Sequence, residues 1–97
     1  MANSLFISFE LQRPDKNYDR ISAALTSIGD SCTQLQFTLW YLKTRLSASQ
    51  ARDRLKAALE KGDRLFVIDA TNNRTASINL PTEASRQVHD QGVLKLT

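Results

Sequence analysis

Thr38-Leu39-Trp40-Tyr41-Leu42-Lys43-Thr44-Arg45 is the stretch on which the fold turns. Alternation sends Leu39, Tyr41, Lys43 and Arg45 to one side and Thr38, Trp40, Leu42 and Thr44 to the other. Both sides carry large apolar groups. The spacing therefore predicts a strand with one face under helices and a second face that also wants cover, which points to self-association.

Working outward, residues 31–36 read as a short strand just before it. Further upstream, Tyr18, Ile21, Leu25 and Ile28 recur at helical spacing, which predicts a helix over about residues 17–28. Gly29 is expected to close that helix as a left-handed cap, and Arg13-Pro14-Asp15 to form a loop ahead of it. Residues 4–11 alternate cleanly, with Leu5, Ile7, Phe9 and Leu11 on one face and Ser4, Phe6, Ser8 and Glu10 on the other, a half-buried strand. Downstream, Ser47 and Gln50 form a capping box, and Ala51, Leu55, Ala58 and Leu59 make the buried stripe of a second helix that Gly62 ends. Leu65-Phe66-Val67-Ile68-Asp69-Ala70 is nearly continuous in apolar character, a central strand. Asn72-Asn73 is a turn. Residues 75–80 make a weaker fifth strand, residues 81–90 a short helix with Pro81 in its first turn, and residues 91–97 a loose tail.

The order is βαββαβ. Two helices on one face of a four-stranded antiparallel sheet give an α+β, ferredoxin-like arrangement over residues 1–80, with residues 81–97 as a C-terminal extension. The first and third strands are expected side by side and parallel, with the fourth strand antiparallel beside the first. That placement brings Glu10 near Lys43 and Arg45 and also near Asp63 and Arg64.

Ninety-seven residues hold one small domain and exclude a large barrel or a doubly wound sheet. Hydrophobic residues at 41% and charged residues at 24% are those of a folded chain. No apolar run is long enough to span a membrane, and residues 1–10 lack the pattern of a secretory signal. One cysteine, Cys32, allows no internal disulfide; with one histidine, His89, it cannot make a zinc site, and a cytoplasmic setting is expected. Cys32 reads as a small buried side chain and His89 as a solvated tail residue. The net charge is +3, and residues 41–64 alone carry +4 while the remainder sums to −1. A concentrated basic stretch suits a polyanionic partner.

With three isolated glycines there is no phosphate-binding loop, so chemistry falls to carboxylates, hydroxyls and basic groups. Glu10 ends the first strand on the face away from the helices, with Ser8 beside it. Two copies facing each other across a dimer would offer paired carboxylates to Mg²⁺ or Mn²⁺, and a metal so held generates hydroxide and steadies a phosphodiester transition state. The alternative is structural: Glu10 forms a partly exposed ion pair with Arg64 or Arg45. Lys43, Arg45, Arg52, Lys56 and Arg64 are candidate phosphate contacts, or ordinary members of solvated faces. Trp40 and Tyr41 read as core or interface groups rather than base-stacking ones.

The chain resembles the small Cas-two-like superfamily, the CRISPR adaptation subunit and its relatives, and within it the SinR-like branch, with the VapD ribonucleases as more distant kin. The likeness is carried by Leu5-Phe6-Ile7-Ser8-Phe9-Glu10, Leu11-Gln12-Arg13-Pro14-Asp15-Lys16-Asn17-Tyr18-Asp19, Ile28-Gly29, Thr38-Leu39-Trp40-Tyr41-Leu42-Lys43-Thr44, Ser47, and Asp63-Arg64-Leu65-Phe66-Val67-Ile68. It spans about residues 4–80. It implies a homodimer built by sheet-to-sheet or edge packing. Nuclease-active members carry an aspartate at the end of the first strand that is thought to hold a divalent metal across the dimer; the matching residue here is Glu10, one methylene longer. The resemblance thus implies a dimer associated with RNA or DNA, working either as a metal-dependent endoribonuclease or as a non-catalytic scaffold or interaction module, with a protein partner, in a defence, mobile-element or toxin–antitoxin system.

Overall fold

The computed structural model describes residues 2–72 and 74–80, together with the backbone of residues 95–96. Its elements are β1 (Asn3–Glu10), α1 (Pro14–Ile28), β2 (Ser31–Gln36), β3 (Leu39–Thr44), α2 (Ala48–Lys56), β4 (Arg64–Asp69), β5 (Arg74–Ile78) and β6 (Lys95–Leu96). The sheet order is β2-β3-β1-β4-β5-β6. Strands β1 to β5 are antiparallel to their neighbours, and the two-residue β6 runs parallel beside β5, with Arg74 opposite Lys95.

The antiparallel sheet thus has five strands, not four. β5 pairs with β4 along its whole length, from Arg74 opposite Asp69 to Ile78 opposite Leu65. The buried Asp69 makes the reversal: its Oδ1 accepts the backbone N–H groups of Thr71 (2.9 Å) and Asn72 (3.0 Å), an Asx turn. The helix expected over 81–90 lies outside the described residues, and within the expected tail residues 95–96 form β6.

The sense of one pairing corrects the sequence expectation. β3 lies beside β1 but antiparallel to it, from Asn3 opposite Thr44 to Ser8 opposite Leu39. The crossover through α1 joins β1 to β2 and leaves one slot between them. β3 fills that slot by folding back from β2 in a hairpin, so it must oppose both neighbours. α2 does the same for β3 and β4, with β1 in the slot.

One contiguous core lies on one face of the sheet. Leu5, Ile7 and Phe9 of β1, Trp40 and Leu42 of β3, Leu65 and Val67 of β4, and Ala76 of β5 pack with Ile21 and Leu25 of α1 and Ala48, Ala51 and Leu55 of α2. Both helices therefore cover that face. The opposite face carries the alternate residues.

Both helices differ in extent from their periodicity. α1 starts at Pro14, where the missing N–H is one that no helix bonds internally. Gly29 is not left-handed: its φ is −96°. Glycine is required there for space, since a Cβ would sit 2.8 Å from Leu42 Cδ2, 2.9 Å from Cys32 Sγ and 3.1 Å from the Ser31 carbonyl. α2 opens on the expected capping box, with Gln50 N–H donating to Ser47 Oγ (3.1 Å) and Ser47 N–H to Gln50 Oε1 (2.9 Å). It ends at Lys56 rather than Gly62, because Ala58 and Leu59 donate three residues back, to Leu55 and Lys56. Gly62, at φ +90°, turns the chain later, just ahead of β4.

That approach to β4 is fixed by Asp63. Its carboxylate is fully buried and accepts from Gln12 N–H (2.8 Å), Asn17 Nδ2 (3.0 Å) and Glu60 N–H (2.7 Å). One side chain thereby ties the β1–α1 loop, the first turn of α1 and the α2–β4 loop. Arg13 straps the same loops from outside, donating Nε to Glu60 Oε1 (3.1 Å) and Nη2 to Glu60 Oε2 (2.6 Å).

Candidate functional site

Asp63 delivers Arg64 to the first position of β4, directly opposite Glu10, the last residue of β1. Alternation turns both side chains to the open face. The Arg64 guanidinium lies 3.4 Å from Glu10 Oε1, and the two side chains are 45% and 67% exposed. Of the two partners expected for Glu10, Arg64 is the one it meets. Ser8, two residues earlier on the same face, is also exposed. Ser8, Glu10, Thr38, Arg64, Phe66 and Leu80 border a shallow depression of about 370 Å³.

The other proposed phosphate contacts lie elsewhere. Lys43 is opposite Ser4, at the far end of β1. At about 3.3 Å per residue that is roughly 20 Å of strand from Glu10, and Arg45 is beyond it. The antiparallel sense of β3 is the reason. Arg52 and Lys56 belong to α2, in the helical layer, where with Asp53, Ser77 and Ile78 they border a second depression of about 330 Å³. Arg52 is held by its neighbour Asp53, Nε to Oδ1 3.0 Å. The basic residues clustered in sequence are thus divided among three places.

Glu10 does not make a metal site within one subunit. A hard divalent cation takes several oxygen ligands, whereas the charged group beside Glu10 is a guanidinium. Among the described residues, no three His, Cys, Asp or Glu side chains gather where an ion would bind. One chain thus brings Glu10 alone to the Mg²⁺ or Mn²⁺ site that the sequence suggested between two copies.

The larger feature of the open face is apolar. Phe6, Leu39, Tyr41, Phe66 and Ile68 are all only half-buried. They form a continuous band over β3, β1 and β4, since Phe6 is opposite both Tyr41 and Ile68 and Ser8 is opposite both Leu39 and Phe66. The rings of Phe6 and Tyr41 meet at 5.0 Å, and the Tyr41 hydroxyl donates to Ser4 Oγ (3.0 Å). Trp40 faces the other way, into the core.

Sequence reasoning missed one exposed aromatic. Phe37, in the β2–β3 turn, is 57% exposed and stacks on Tyr18 of α1, with centroids 4.0 Å apart and planes 12° apart. Gln34 Nε2 donates to the Tyr18 hydroxyl (2.8 Å). The place of Phe37 in the turn between two short strands was the one available signal. Cys32 is half-buried, donates Sγ–H to the Leu25 carbonyl (3.5 Å), and has its thiol pushed up by burial, as suits an unreactive side chain. No helix among the described residues is long and apolar enough to cross a membrane. Comparison with family models, with curated proteins and with solved structures returns no match.

Proposed function

We propose that the chain is a Cas-two-like homodimer that works as a non-catalytic interaction module, with a ferredoxin-like core extended by β5. The strand order β2-β3-β1-β4, with a helical crossover from β1 to β2 and another from β3 to β4, supports the ferredoxin-like core. The single observation that carries the dimer is the apolar band Phe6, Leu39, Tyr41, Phe66 and Ile68 on the face that neither α1 nor α2 covers. A contiguous apolar patch of this kind is what an interface buries. Glu10 engaged by Arg64 supports a structural role for the residue over a catalytic one.

The test joins assembly to activity. Size-exclusion chromatography with light scattering should give a dimer, and Phe66→Glu should give a folded monomer. Labelled single- and double-stranded RNA and DNA are incubated with the wild type and with Glu10→Ala, in Mg²⁺, Mn²⁺ or EDTA. No cutting by either protein is expected. Metal-dependent cutting that Glu10→Ala abolishes would replace the module with a ribonuclease or deoxyribonuclease centred on Glu10 and Ser8. Shifted bands in the same gels, lost steeply with salt, would identify nucleic acid as the partner.

A further inference from the structure

The parallel pairing of β6 says which face of the sheet the chain crosses after β5. β6 lies beside β5, with Arg74 opposite Lys95 and Thr75 opposite Leu96. Between the two strands the chain must return from the Ile78 end of β5 to its Arg74 end, across one face of the sheet. Such connections are almost always right-handed. β1 and β5 point the same way, since each is antiparallel to β4. The connection from β1 to β2 travels toward one edge of the sheet and carries α1 over the core face. The connection from β5 to β6 travels toward the opposite edge. Two strands of the same sense, joined onward by connections of the same hand but opposite travel, need opposite faces. The return from β5 thus belongs on the open face.

Local observations agree. On the core face β5 is already covered, since Ala76 is buried with Ala51 and Leu55 of α2. The chain leaves β5 turned the other way. Asn79 takes a left-handed φ of 63° and donates Nδ2 to the Asp63 carbonyl (2.8 Å). Leu80 then borders the open-face depression with Ser8, Glu10 and Phe66. Thr75, opposite Ile68 and so on the open face, is only 1% exposed, although neither α1 nor α2 lies there.

We infer that the β4–β5 flank of the apolar band is the seat of this chain's own residues 81–94, which cross it over Ile68 and Thr75. The length of chain suits the span. The helix expected from the sequence over residues 81–90 would be about 15 Å long, against roughly 17 Å for the five residues of β5. Ala84 and Val88, four apart, would share one side of it and supply apolar groups to the seat. This goes beyond the dimer proposed above and does not rest on it. It leaves Phe6, Leu39 and Tyr41, with Phe66 on the boundary, as the part of the band that a second copy can meet.

Nuclear Overhauser spectra of the isotope-labelled full chain test it, with no variant that could fail to fold. Methyl groups of Ala84 or Val88 should show contacts to Ile68 or Thr75. Isotope-filtered spectra of labelled chain mixed with unlabelled chain, which keep only contacts between copies, should lose them. Contacts from residues 81–94 to Arg52 or Leu55 of α2 would overturn the inference, because the return would then lie over the helices. Contacts to the open face that survive the filter would overturn it too, since the occupant would be the segment of a second copy. Residues 81–94 without contacts to either face would also overturn it. The dimer fails separately: a chain that is monomeric by light scattering should still show the contacts to Ile68 or Thr75.

Discussion

At the scale of single residues, Asp63 joins segments that are far apart in the chain. Three donors from three segments converge on one buried carboxylate. Asp63→Ala would leave the Gln12 and Glu60 N–H groups and the Asn17 amide without that acceptor. Unmade buried hydrogen bonds are expensive, so a loss of about 3 kcal/mol or more is expected. The urea midpoint should fall with an unchanged slope. Glu60, next in this assembly, makes a different prediction. The hydrogen bonds donated by Arg13, aided by its charge, hold the Glu60 carboxyl below its ordinary range, and Arg13 is raised by the same contact. A folded-state value lower than the unfolded one means that the strap's contribution is present above the ordinary carboxylate range. It is lost as pH falls through the depressed value. Nuclear magnetic resonance titration should show the Glu60 midpoint rising toward its ordinary position in Arg13→Ala.

At the scale of elements, Gly29 shows how a residue type can be read correctly for the wrong cause. A glycine after a helical stripe reads as a left-handed cap, yet its φ of −96° is open to any residue. What excludes a side chain is the approach of Leu42, Cys32 and the Ser31 carbonyl. Gly29→Ala should therefore cost about 1–3 kcal/mol through overpacking, measurable as a lowered thermal midpoint. The elements themselves were legible because burial imposes a period. The alternation in β1, the stripes Ile21–Leu25 and Ala51–Leu55, and the box at Ser47 all reappear in the structure. The end of α2 was not legible, because the apolar stripe runs on through Ala58 and Leu59 while their N–H groups donate three residues back, to Leu55 and Lys56. β5 was understated: Arg74-Thr75-Ala76-Ser77-Ile78 has little apolar weight of its own, and the Asp69 turn is what aligns it with β4.

At the scale of the whole molecule, direction was the missing information. Nothing in the side chains of β1 and β3 states whether they run together or oppose; the slot left by each crossover decides it. The same fact rearranged the candidate site, since reversing β3 carried Lys43 and Arg45 to the far end of β1 and left Arg64 as the cation beside Glu10. The division of the sheet into two unlike faces also has an optical consequence. Trp40 is the chain's one tryptophan, 7% exposed, with an indole N–H that has no hydrogen-bond partner among the described residues. An indole in so dry a place should emit at short wavelength and shift to the red only when the core opens. Because it lies on the helix side of the sheet, its emission maximum should stay fixed on dilution through dissociation of the proposed dimer and move on urea unfolding. Tyr41, on the open side, is placed to register the first event. The tryptophan thus gives a fluorescent gauge of folding that assembly through the other face leaves untouched.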